Sequence, residues 1–187
     1  HSHWWDFVAP LLIDQYEVSA LDLTGMGSSD HREHYNPEVF GKEIIAVAED
    51  SGFFDNRSSN PIICGHSLGG YMSIHAANLA LETIKGVIMI DSPIRPPDFD
   101  YSSHQGSGPI RKRKTYPDKE TIMKRFKLAP DQPTDFPFVI DYIAKKSIQE
   151  ANGGYEWKFD DTLFSKLGYP HMPKSHAFNL TCPLGFI

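Results

Sequence analysis

Ser67 is the residue of this chain whose neighbours best equip it to act as a nucleophile. It sits in Gly65-His66-Ser67-Leu68-Gly69, a G-x-S-x-G pentapeptide that follows the apolar run Pro61-Ile62-Ile63-Cys64 and precedes a helix-like segment. So short a pattern recurs by chance, and the weight therefore lies on its context. A serine on a sharp strand-to-helix turn holds its hydroxyl clear of other side chains, and the flanking glycines let strand and helix approach where a Cβ would clash. The next amide, Leu68 N–H, opens the helix, where an unpaired donor and the helix dipole favour a developing oxyanion. The competing reading is an ordinary strand-Gly-helix junction with an incidental serine.

The elements around the pentapeptide alternate. Trp4, Trp5, Val8, Leu11 and Leu12 recur at helical spacing, with Ser2 as N-cap. Tyr16–Leu23 is almost continuously apolar and predicts a strand covered on both faces. Asn36-Pro37 is a cap followed by an N1 proline, and Phe40, Ile44, Val47 and Ala48 mark the buried face of the next helix. The helix after Ser67 carries Met72, Ile74, Ala76 and Leu79 and is expected to end near Thr83; Gly86–Ile90 is a further apolar strand. This alternation predicts a parallel sheet with right-handed crossovers. From Pro93 to about Gly168 the chain is rich in Pro, Ser, Gly and charge, with helical segments expected near Asp118–Leu128, Phe138–Gln149 and Asp160–Leu167 and no strand between them. Such an insertion on the C-terminal edge of a sheet would form a helical lid. Thr181–Ile187 then resumes a strand-like run.

The chain of 187 residues is long enough for one domain with a sizeable core, and its formal charge of −6 argues against a general nucleic-acid binder. The basic run Arg111-Lys112-Arg113-Lys114 lies among Gly, Ser and Pro and reads as a solvated loop. No apolar stretch is long enough to span a bilayer. Cys64 and Cys182 both fall in expected buried strands and read as small core residues rather than a disulfide, which fits a reducing, cytoplasmic location. Asn56-Arg57-Ser58 and Asn179-Leu180-Thr181 match the glycosylation triplet, which chance also supplies. The chain starts within a helix-like pattern at His1 and stops within an apolar run at Ile187, so both ends read as cuts through a larger domain. The lack of a signal peptide therefore carries no information on localisation.

With the pentapeptide, the alternation and the insertion together, the chain resembles the α/β-hydrolase superfamily. Asp22-Leu23-Thr24-Gly25-Met26-Gly27-Ser28-Ser29-Asp30 is similar to that family's D-x-x-G-x-G-x-S turn after the fourth core strand. As a phosphate loop the segment fails, because Asp30 stands where a third glycine would be needed and no helix follows at once. Asp91-Ser92-Pro93 resembles the end of the family's sixth strand, and Thr181–Ile187 its seventh. The resemblance implies an α/β-hydrolase fold, a mostly parallel sheet flanked by helices, with a helical lid inserted after the sixth core strand. It divides the chain into a first part of the core (1–93), the lid (94–170) and a return to the core (171–187).

The resemblance also implies a mechanism: Ser67 attacks an acyl carbon, Leu68 N–H supplies one oxyanion donor, a histidine activates Ser67 and a carboxylate orients that histidine. In the family the histidine follows the eighth strand, beyond Ile187, and the other oxyanion donor lies just upstream of His1. The histidines within the chain fit the role poorly. His66 immediately precedes the nucleophile and points away from it, and His75 lies two turns along the following helix. His171 and His176 fall in a Pro-bounded loop, where surface histidines are the commoner case. Asp91, at the C-terminal end of the strand beside the serine's strand, is either the triad acid or an anchor of the turn that opens the lid. The lid's aromatics, among them Phe126, Phe138, Tyr142 and Trp157, predict an apolar pocket. The expected activity is that of a lidded serine hydrolase cleaving an ester or related acyl bond in a small, partly apolar substrate, with no metal or organic cofactor. The alternatives are a C–C hydrolase or hydroxynitrile lyase, and a non-catalytic, receptor-type binding protein on the same fold. The residues leave oligomeric state open.

Overall fold

The computed structural model describes residues 1–55, 60–92, 112–128, 131–167 and 179–187. They fall into two compact units, one of Glu33–Gly106 with Ser165–Ile187 and one of His1–Arg32 with Ser107–Phe164. Arg111, His171, His176, Pro93, Gly168 and the Asn56–Ser58 triplet lie outside the described residues.

In the unit that contains Ser67, helix α1 (Pro37–Asp50) begins where Asn36 accepts a 2.8 Å hydrogen bond from Val39 N–H, with Pro37 at the first helical position. Strand β1 (Ile62–His66), helix α2 (Leu68–Leu79) and strand β2 (Gly86–Ile90) follow. β1 and β2 pair in parallel from Ile62 opposite Gly86 to His66 opposite Ile90, and β2 pairs in parallel with β5 (Leu184–Phe186) on its other side. A parallel pair needs a crossover, and α2 supplies it. The core lies between α2 and the sheet, where Ile74, Ala77, Ile84, Val87 and Met89 are buried together. Gly41 lets α1 and α2 meet closely, since a Cβ there would lie 3.0 Å from Leu79 Cδ1 and 3.1 Å from the Ala76 nitrogen.

Several local expectations change. α2 stops at Leu79, before Thr83. Cys64 and Cys182 are free thiols, but Cys64 is exposed and Cys182 only half-buried. Among the described residues β1 pairs on one edge only; Ile62, Cys64 and His66 share the face of β1 turned away from α2, and all three are exposed.

In the other unit, the Trp4–Leu12 segment forms two short 3₁₀ turns, Ser2–Trp4 and Ala9–Leu11, instead of one helix. Pro10 has no N–H for a continuous ladder and disrupts the preceding turn. His1, not Ser2, is the first N-cap, and no side chain caps that turn. Tyr16–Leu23 is not a strand, and Tyr16 and Val18 are exposed. An apolar run becomes a strand only when a neighbour supplies its ladder.

The 112–167 segment contains α3 (Lys119–Met123), α4 (Pro137–Lys146) and α5 (Leu163–Leu167), each shorter than expected. It also contains an antiparallel hairpin, β3 (Ile148–Ala151) and β4 (Gly154–Trp157), where no strand was expected. Asn152-Gly153 makes its two-residue turn, with Gly153 at φ 86°. This is a hairpin signal that helical spacing hides. The aromatic rings pair at close range, Phe7 with Tyr142 at 5.2 Å and Phe126 with Trp157 at 5.9 Å. No helix among the described residues is long and apolar enough to cross a membrane.

Candidate active site

Only Ser67 separates the last residue of β1 from the first of α2. So abrupt a reversal requires unusual backbone angles, and Ser67 adopts φ 50°, ψ −117°, a conformation that L-residues rarely take. Hydrogen bonds hold the residue in it. Ser67 N–H donates to Ile90 C=O at 2.9 Å, and Ser67 C=O accepts from Gly70 N–H at 3.0 Å and from Ser92 Oγ at 2.9 Å. Ser67 occupies the N-cap position of α2, yet its side chain caps nothing, and the residue is exposed.

The glycines contribute unequally. A Cβ on Gly65 would lie 2.3 Å from the carbonyl carbon and oxygen of Gly69 and 2.5 Å from Gly70 N, so strand and helix touch through bare backbone at that point. A Cβ on Gly69 meets nothing within 4 Å among the described residues. The second glycine whose bareness is required is Gly70, where a Cβ would stand 2.2 Å from Ser92 Oγ. Sequence reasoning overlooked both Gly70 and the fully buried Ser92. Only a small residue directly after β2 could have pointed to the latter.

Asp91 also has a left-handed backbone, φ 44°, and its N–H donates to Ile187 C=O at 2.8 Å. Its carboxylate is largely exposed and stands 4.0 Å from His66 Nε2. His75 lies within α2. Among the described residues no hydrogen bond joins a histidine to Ser67: His1 pairs with Ser147 at 2.7 Å, and His3 with Asp6 at 2.7 Å. An open cavity of about 330 Å³, lined by Asn60, Glu82, Lys85 and Pro183 among others, lies at the N-terminal ends of the strands, the end opposite Ser67.

In the other unit the Asp22–Asp30 turn is closed by its own carboxylate. Asp22 accepts from Ser2 N–H and Ser28 N–H, both at 2.6 Å, and a Cβ on Gly27 (φ 58°) would fall 2.1 Å from Asp22 Oδ2. Burial pushes the Asp22 pKa up, but the amide donors outweigh it and hold the carboxyl below its usual range. Those N–H groups are therefore already occupied by an anion, which disposes of a phosphate cradle on physical grounds.

A family model described as the alpha/beta hydrolase family matches residues 1–176. The chain belongs to the alpha/beta hydrolase family. The putative esterase/lipase of Haemophilus influenzae is 28% identical over 89 residues, 48% of this chain and 29% of that protein. Among solved structures, E-2-(acetamidomethylene)succinate hydrolase superposes with a TM-score of 0.75 at 19% identity, over 99% of this chain and 67% of that one. The thioesterase domain from the curacin biosynthetic pathway gives 0.70 at 23% identity, over 98% and 69%. At such identities the superpositions carry the fold. The chain spans less than a third of the length of the curated relatives it matches.

Proposed function

We propose that this α/β hydrolase is a serine hydrolase that cleaves an ester or related acyl bond, with Ser67 as nucleophile on an elbow between β1 and α2. One observation carries the reading: Ser67 is held at φ 50°, ψ −117° at the head of a twelve-residue helix with a hydroxyl that caps nothing. A strained conformation of this kind costs about 1–3 kcal/mol and persists where the surrounding structure enforces it. Ser67 Oγ attacks the acyl carbon as its proton passes to a histidine. The carbonyl oxygen becomes an oxyanion, which Leu68 N–H stabilises at the helix N-terminus. The same histidine protonates the leaving group, and water then releases the acyl group from Ser67 by the reverse sequence.

By family resemblance the histidine follows the eighth strand, and the substrate is a small, partly apolar acyl compound. Asp91 acts as an anchor of the turn after β2 rather than as the triad acid. Its carboxylate lies in solvent, and its backbone N–H ties β2 to Ile187.

An alkyl fluorophosphonate tests the assignment. It is expected to label the full-length protein on Ser67 alone and to leave the Ser67→Ala variant unmodified. A label mapped to another residue, or none on well-folded protein, contradicts the reading.

A further inference from the structure

We infer that Ser92 is a positioning residue for the oxyanion donor, acting through the peptide that joins Ser67 to Leu68. The inference rests on the nucleophile reading of Ser67 and adds a part to it. Ser92 directly follows Asp91 and is completely buried, and its hydroxyl has two acceptors, Ser67 C=O at 2.9 Å and Ile90 C=O at 3.0 Å. Ile90 C=O is also the acceptor of Ser67 N–H. The single proton of that hydroxyl is shared, as a bifurcated hydrogen bond, between the carbonyl of the nucleophile residue and the carbonyl that holds its amide.

The consequence follows from peptide geometry. A trans peptide is planar, so its C=O and N–H point in opposite directions. Ser67 C=O is drawn inward by Ser92 Oγ and by Gly70 N–H. The other end of the same plane, Leu68 N–H, is thereby turned outward, and as the first N–H of α2 it has no partner within the helix. Gly70 completes the fit, because any Cβ there would occupy the space of the Ser92 hydroxyl. Without that hydroxyl the carbonyl keeps only the Gly70 bond, and the plane gains freedom about the strained ψ of Ser67. Both the aim of the donor and the placing of Oγ then loosen.

Removing an oxyanion donor outright costs about 10²–10³ in rate. Loosening its aim should cost less. In the full-length protein, Ser92→Ala is expected to lower kcat roughly 10- to 100-fold with KM changed less than about threefold, the pattern for an interaction made in the transition state. Ser92→Cys, similar in volume and a weaker donor, is expected to fall between the two, and it serves as the test if the alanine variant does not fold. A purely structural role would lower the melting temperature and leave kcat per folded molecule unchanged. Near-normal kcat in Ser92→Ala, or equal kcat in the Ala and Cys variants, overturns the inference. Ser67→Ala separates it from the reading beneath it. If that variant stays active, the nucleophile assignment fails; if it is inert while Ser92→Ala runs normally, only the role of Ser92 fails.

Discussion

Replacing Ser67 by glycine is expected to stabilise the fold relative to Ser67→Ala, although glycine is the weaker choice within a helix. Both variants remove the hydroxyl, which caps nothing, so neither loses a structural hydrogen bond of the side chain. They differ in what the backbone tolerates. At φ 50°, ψ −117° alanine retains the Cβ clash of the native serine, whereas glycine occupies the region freely. Relief of that strain is worth about 1–3 kcal/mol. The greater freedom of glycine in the unfolded chain returns about 0.4–1 kcal/mol of it. The difference is about 1 kcal/mol in favour of glycine, or roughly 2–4 °C in melting temperature for a chain of this size. Urea titrations of the two variants, with equal m-values, measure it directly. A glycine variant that melts at or below the alanine variant would mean that the turn is not strained, and the argument for an enforced nucleophile geometry would lose its basis.

The glycines of the motif should separate in the same assay: Gly65→Ala drives a Cβ to 2.3 Å from Gly69 backbone and is expected to cost about 1–3 kcal/mol or prevent folding. Gly69→Ala meets nothing within 4 Å among the described residues and is expected to be neutral or stabilising by up to about 1 kcal/mol. Asp91→Asn preserves a side chain that tolerates φ 44° and is expected to leave kcat within a few-fold; a loss on the order of 10⁴ would instead identify Asp91 as the triad acid. Asp22→Asn removes a carboxylate whose pKa is lowered in the folded state, so its contribution is full above the unfolded value near about 3.9 and disappears as pH falls through the folded value. The variant is expected to be about 1–2 kcal/mol less stable at pH 7, the worth of charge-assisted bonds weakened by partial solvent exposure. Denaturant midpoints for wild type and variant should draw together as pH falls through that lowered folded value, and a gap that persists once both carboxyl states are protonated would place its origin in packing.

Local chemistry made much of this protein legible. The Pro61–Cys64 run, the glycines after it and the helical spacing that follows are enough to expect a strand, a turn at Ser67 and a helix, because each depends on residues within a few positions of one another. The same holds for Asn36-Pro37, where cap and N1 proline act on the adjacent turn. The alternation of these elements also carries the fold class and, through it, the family. Other features depended on partners distant in sequence. Nothing near Tyr16–Leu23 says that it lacks a ladder among the described residues, and Cys64 is apolar in its own strand yet exposed because it lies on the face of β1 turned away from α2. The Asn152-Gly153 turn was visible locally but was outweighed by helical spacing on either side. Ser92 stood in the sequence only as the middle residue of Asp91-Ser92-Pro93, with nothing local to show what its hydroxyl meets. Its hydroxyl matters because the parallel register of β1 and β2 brings their C-terminal ends together and sets it against the carbonyl of Ser67, twenty-five positions earlier. A sequence records which residues can donate and which can bend, and the tertiary structure alone decides which donor meets which bend.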